Sequence, residues 1–106
     1  MTERVTKNLN LLKALTKCTD VEKKDFVKIA RPEVINAICD CILNILNGNV
    51  PISSKQKEKL RTKKNILRKL VLKKTNTPKR KKLLVQHGNG ILTSILGPAI
   101  RALASL

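Results

Sequence analysis

The chain is 106 residues long and carries 23 Lys and Arg against seven Asp and Glu, a net charge of +16. A chain of this size fits one small domain plus a tail and buries only a modest core, which leaves little room for an elaborate active-site cavity. One aromatic residue, Phe26, and the lack of Trp and Tyr exclude stacking platforms for single-stranded nucleic acid, so contact with phosphates by charge is expected instead of base reading.

The cysteines and the histidine indicate neither a metal site nor a catalytic site. The three cysteines, Cys18, Cys39 and Cys41, together with the one histidine, His87, match no zinc-site spacing and form no catalytic constellation. Helical positions two apart point about 200° away from each other, so Cys39 and Cys41 are expected to be packing residues. With no secretory leader and no apolar run of about 18 residues, the sequence predicts a soluble, intracellular protein. The missing catalytic and metal-ligand patterns predict a non-enzymatic protein without cofactor or metal.

Residues 1–52 are expected to form a helical core subdomain. Apolar residues at spacings of three and four predict one helix over residues 2–17. A second, shorter helix over residues 21–30 would be capped by Asp20 and would stop before Pro32, because proline disfavours the helical conformation in the residue before it.

The most apolar helix of the chain begins at Pro32. Four of its polar residues share a single face, and they are Asn36, Asp40, Asn44 and Asn47. All other faces are apolar, so this helix is predicted to be central and buried. Gly48 is expected to end it in the left-handed conformation, and Pro51 prevents any continuation.

Residues 53–87 form a basic segment in which Glu58 is the one acid. A helix from Ser53 or Ser54 to about Lys73 would have an apolar sector able to dock on the central helix, made of Leu60, Ile66, Leu67, Leu70 and Val71. A basic stripe on the same helix would face outward, with the members Lys57, Arg61, Lys64 and Arg68. These four cations are the first group of candidate nucleic-acid contacts.

A second candidate group follows a break at residues 75–78. Thr77 is expected to cap a short helix, and Pro78 suits its first position. That helix carries the densest basic run, Lys79, Arg80, Lys81 and Lys82. A short run of this kind is also a pattern of nuclear localisation, and phosphate binding is an equally good use for it.

The sequence becomes apolar after Gly88-Asn89-Gly90, which is predicted to be a flexible joint. Residues 88–106 are expected to form an amphipathic helix, too short and too interrupted by Pro98 to cross a bilayer. The apolar residues proposed to contact a membrane or a partner are Ile91, Leu92, Ile95, Leu96 and Leu103. Three uses stay open: binding at an anionic membrane surface, docking on a partner or second copy, and capping the protein's own core.

About half of the chain resembles a family of small basic proteins. The matching features are the helix end at residues 47–51, the basic helix with Gln56, Lys57, Leu60 and Leu67, the run at residues 79–84, then Gln86, and glycines that open an apolar tail. In order and spacing these resemble the basic proteins encoded by Polinton/Maverick elements and the related adintoviruses, which are similar to the adenovirus X (mu) core peptide.

The resemblance implies a virion core protein that binds and condenses double-stranded DNA without sequence preference, in the virion core and the host nucleus, with a capsid protein as a further partner. The rivals are a membrane-active or partner-docking protein that acts through its C-terminal helix, and a cellular RNA-binding protein. In either case the sequence predicts an all-α fold, a small bundle of about four helices with a basic helix and a C-terminal amphipathic helix.

Overall fold

A computed structural model describes residues 3–48 and 52–91, together with residues 97 and 100, and these residues are helical apart from short connections. The all-α prediction is confirmed. Within the described residues there are seven helices, more than the four or so expected: α1 (Glu3–Lys7), α2 (Leu9–Thr16), α3 (Asp20–Ile29), α4 (Pro32–Leu46), α5 (Ser54–Thr62), α6 (Lys64–Val71) and α7 (Thr77–Ile91).

The single helix expected over residues 2–17 is divided at Asn8. The side-chain amide of Asn8 donates to the Arg4 carbonyl at 2.8 Å, and its backbone N–H donates to the same oxygen at 3.2 Å. Such local side-chain bonding competes with regular helix geometry, and Asn8 has φ −104° and ψ 12°. The apolar stripe survives the break, since Val5, Leu12 and Leu15 are all buried.

Helix α3 begins with a capping box. Thr19 Oγ1 accepts from the Glu22 N–H at 3.2 Å, and Glu22 Oε1 accepts from the Thr19 N–H at 2.9 Å. The N-cap of α3 is therefore Thr19, one residue before the predicted cap Asp20. Hydrogen bonds from the backbone and side chain of Thr19 lower the pKa of Glu22 from its ordinary value.

Helix α4 is the centre of the fold, as predicted. It contacts α1, α6 and α7, and its buried residues are Val34, Ile35, Ala37, Ile38, Cys39, Cys41, Ile42 and Ile45. Burying each large aliphatic side chain contributes about 1.5–3 kcal/mol. Pro32 occupies the first turn, and Gly48 ends the helix with φ +75°, a conformation that glycine adopts without a Cβ penalty.

An ion pair joins α1 to the polar face of α4. Arg4 donates to both oxygens of Asp40, from Nε to Oδ2 at 2.9 Å and from Nη2 to Oδ1 at 3.1 Å. The Asp40 side chain is 13% exposed, so the bidentate pair is partly shielded from water. It fixes the N-terminal helix against the central one.

One hydrophobic cluster includes residues from all three segments proposed from the sequence. Val5 and Ile42 come from the first, Leu67 and Leu84 from the second, and Ile100, 1% exposed, from the third. Where the sequence predicts a flexible joint, at residues 88–90, the backbone is helical as part of α7. Each glycine destabilises a helix by about 1 kcal/mol, and the packing of α7 against α3, α4 and α6 offsets this cost.

Candidate nucleic-acid interface

Helix α5 lies at the surface and is fixed at its N-terminus. Ser53 Oγ accepts from the Gln56 N–H at 3.3 Å, and Gln56 Oε1 accepts from the Ser53 N–H at 2.9 Å. These bonds form a capping box, so the predicted helix start at Ser53 or Ser54 is confirmed. Leu60 is the apolar residue of α5 that packs on the core, while Lys57 and Arg61 are exposed.

Helix α6 is attached to the body through the predicted apolar sector. Leu67 and Leu70 are fully buried, and Ile66 and Val71 pack beside them. The helix contacts α4 and α7, so the docking of this sector on the central helix is confirmed. Lys64 and Arg68 lie exposed on the same helix.

A break at Lys63 divides the predicted basic stripe into two pairs. Thr62 Oγ1 donates to the Lys59 carbonyl at 2.8 Å, the oxygen that the Lys63 N–H would bond in a regular helix. The Lys63 N–H bonds the Leu60 carbonyl at 3.2 Å instead, and Lys63 has φ −105° and ψ 11°. The expected continuous helix is therefore two helices.

The second basic group lies at the start of α7. Asn76 Oδ1 accepts from the Lys79 N–H at 3.0 Å, so Asn76 caps the helix in place of the predicted Thr77. Thr77 is the first helical residue, and its Oγ1 donates across the molecule to Asn36 Oδ1 at 3.4 Å. The basic run from Lys79 thus begins within the first turn of a helix tied to α4.

Arg80 is engaged inside the protein. Its Nη1 donates to Asn36 Oδ1 at 3.0 Å, and its Nη2 donates to the carbonyl of Leu72, the residue that ends α6, at 2.9 Å. Its Nε is buried and has no hydrogen-bond partner among the described residues. A cation at the carboxyl end of a helix is favoured by the free carbonyls there, so Arg80 connects α4, α6 and α7.

Lys81 is engaged in the same way. Its Nζ donates to the carbonyl of Ala30, the residue that ends α3, at 3.0 Å. The two outer cations of the run, Lys79 and Lys82, are exposed and line an open groove of about 450 Å³ together with Pro78, Leu83 and Gln86. The outer members of the basic run are therefore exposed to solvent, and its inner members hold helices together.

We define the basic surface as the exposed Lys and Arg side chains between residues 55 and 82. They are Lys55, Lys57, Lys59, Arg61, Lys64, Arg68, Lys69, Lys73, Lys74, Lys79 and Lys82. All the candidate contacts except Arg80 and Lys81 belong to it. Glu58 pairs with Arg61 at 3.2 Å, and both side chains are largely exposed, so the pair contributes little to stability.

The cysteines agree with the packing role predicted for the central pair. Burial raises the pKa of the Cys39 thiol to about 11, an effect that Arg80 partly offsets, and burial with Asp40 nearby raises that of Cys41 to about 12. Cys18 is half-buried, and its Sγ lies 3.3 Å from the Ala14 carbonyl. In the part of the chain that the structure describes, no three His, Cys, Asp or Glu side chains are grouped to hold a metal.

We expect one fast and two slow thiols on alkylation of the folded protein at pH 8. Cys18 is partly exposed, whereas Cys39 and Cys41 are buried and remain neutral thiols at this pH. Iodoacetamide labelling followed by mass spectrometry should show one adduct before unfolding and three in guanidinium chloride. Rapid labelling of all three without denaturant would contradict this packing.

The tail residues proposed for membrane or partner contact are Ile91, Leu92, Ile95, Leu96 and Leu103, and their side chains lie outside the described residues. Over residues 3–48 and 52–91, no helix combines the length and the hydrophobicity needed to cross a bilayer. Comparisons with protein-family models, with curated proteins and with solved structures found no match to this chain.

Proposed function

We propose that the protein binds double-stranded DNA without sequence preference and condenses it, as a non-enzymatic function of the basic surface. One observation carries this proposal: exposed Lys and Arg side chains continue over α5, α6 and the start of α7, with Glu58 as the one acid on those elements. Phe26 is half-buried against the core and offers no stacking platform. Phosphate neutralisation with release of counterions is therefore the proposed mode of binding.

The fold supports this function by arranging the cations before the ligand arrives. The apolar sector anchors α6, and Arg80 and Lys81 anchor α7, while the neighbouring cations point to solvent. Like charges four residues apart, such as Lys57 and Arg61, cost a helix about 0.2–0.5 kcal/mol per pair. A polyanion relieves this repulsion, so DNA should stabilise the fold as well as bind to it.

Gel-shift titrations of unrelated duplexes at several salt concentrations test the proposal. The affinity should be the same for each sequence, and it should fall steeply with salt, by about 0.9 logarithmic units per tenfold change in salt for each phosphate contact. A strong preference for one sequence, or a shallow dependence on salt, would rule out the proposed mode.

The rival functions are tested by competition. Structured RNA that displaces duplex DNA at equal phosphate concentration would favour an RNA-binding protein, since charge alone does not distinguish the two. Leakage of anionic vesicles caused by the full chain would favour a membrane role.

The biological setting of the proposal rests on the resemblance to the Polinton/Maverick and adintovirus proteins. Within that setting the protein would coat and compact the viral genome in the virion core and enter the host nucleus with it. The ligand is then a long duplex at high local concentration, and the relevant property is compaction at saturation, not affinity for a single site.

A further inference from the structure

The net charge of the chain corresponds to a definite length of duplex. Double-stranded DNA carries one negative charge per about 1.7 Å of helix axis. The net charge of +16 therefore balances the phosphates on about 27 Å of axis, which is about eight base pairs.

The folded protein has nearly the same length. Its principal dimensions are 31 × 28 × 27 Å, so one molecule laid against a duplex covers between 27 and 31 Å of the axis in any orientation. That span holds about 16 to 18 phosphates. Because the three dimensions are so similar, this agreement does not depend on which side of the protein meets the DNA.

We infer, on the basis of the proposed function, that the ligand is a duplex coated by a single row of touching protein molecules, one per about eight to nine base pairs, and that this row neutralises it completely. Saturation and neutrality then occur at the same ratio of protein to DNA. A single strand carries one charge per about 3.4 Å, so the same row would leave it with a large excess of positive charge.

The distribution of charge explains why one row suffices. Residues 1–52 carry eight Lys and Arg against six Asp and Glu, so this half of the chain is close to neutral. Because the net charge of the chain and the charge of the phosphates that it covers are nearly equal and opposite, the coated duplex has little charge left to attract a second row. Neutral coated duplexes no longer repel one another, and they are free to aggregate side by side.

Two measurements on a long duplex of mixed sequence, at low salt where binding is stoichiometric, test the inference. Sedimentation gives the ratio at which added protein stops binding, and electrophoretic light scattering gives the ratio at which the complex has zero mobility. Both are expected at about eight to nine base pairs per chain, with the onset of condensation at the same point.

Charge variants distinguish the ratio at which binding saturates from the ratio at which the complex has zero mobility. The double variant Lys13→Gln/Lys17→Gln removes two exposed cations outside the basic surface, and Glu58→Lys adds two charges within it. The zero-mobility point should move to about seven base pairs per chain for the first variant and to about nine for the second. The saturation ratio should stay constant, since neither variant changes the size of the protein.

The outcomes distinguish this inference from the function on which it rests. Duplex binding with saturation near four base pairs per chain would indicate two rows, and saturation beyond about 12 would indicate spaced molecules. Either result would overturn the single row and leave DNA binding intact. A failure to bind any duplex at low salt would overturn the proposed function itself.

Discussion

Neutralising the four exposed cations of the predicted stripe should lower duplex affinity by about 10³-fold at about 0.15 M salt. The variant carries Lys57→Gln, Arg61→Gln, Lys64→Gln and Arg68→Gln. Each lost phosphate contact removes about 0.9 from the slope of log affinity against log salt, so the slope should become shallower by about 3.6. Fluorescence titration of a labelled duplex over a range of salt concentrations measures both quantities.

A matched control distinguishes this surface from total charge. The variant with Lys13→Gln, Lys17→Gln, Lys24→Gln and Lys28→Gln has the same net charge, and all four side chains are exposed on the N-terminal half. It should change the slope by less than one unit. Equal losses in the two variants would show that binding depends on overall charge and not on α5 and α6.

The second prediction concerns Arg80, which we expect to act in folding and not in contact with DNA. Arg80→Gln removes hydrogen bonds to Asn36 and to the Leu72 carbonyl, and hydrogen bonds from charged groups contribute about 1.5–3 kcal/mol each. The loss of two such bonds should lower the free energy of unfolding in urea by about 3–6 kcal/mol. Arg80→Lys should recover only part of this loss, because an ammonium group does not reproduce the two-pronged geometry of guanidinium.

The neighbouring residue provides the control. Lys79 is exposed, so Lys79→Gln should leave the free energy of unfolding within about 0.5 kcal/mol of the original while making the salt slope of DNA binding shallower by about one. Of these two adjacent residues, Arg80 would thus affect the stability of the fold, and Lys79 would affect the binding of DNA. Unchanged stability in Arg80→Gln would contradict the role that its contacts indicate.

Features of the fold that depend on neighbouring residues were predictable from the sequence. Pro32 at the start of α4, Gly48 after its end and the capping serine of α5 all act within a few residues, and each has a characteristic residue type. The apolar sector of α6 was predictable for a related reason, because helical periodicity shows directly which side chains share a face.

Two helix breaks were missed because the apolar and basic periodicity continues through them. At Asn8 and Thr62 a side chain bonds a carbonyl of the preceding turn, and residues capable of this bond are common inside unbroken helices. The helical backbone at residues 88–90 was missed for the opposite reason. Glycines there favour a joint locally, while packing of α7 on the other helices outweighs that preference.

The internal use of Arg80 and Lys81 could not be predicted from local sequence. Their partners Asn36 and Ala30 lie 44 and 51 residues away along the chain. A prediction from composition alone assigns the same role to all members of a basic run. The free carbonyls at the ends of α3 and α6 decide which two of them turn inward, and the tertiary fold sets that geometry.

The bonds from Arg80 and Lys81 to the ends of α6 and α3 affect how experiments with peptide fragments should be interpreted. A synthetic peptide covering residues 77–91 would expose the entire run of four cations to a polyanion, whereas in the folded chain two of the four are held by backbone carbonyls. Such a peptide would therefore offer more unengaged cations per molecule than this region of the folded chain. Affinities measured with it would describe a different ligand from the intact protein, in which the inner cations are half-buried and bonded to backbone carbonyls.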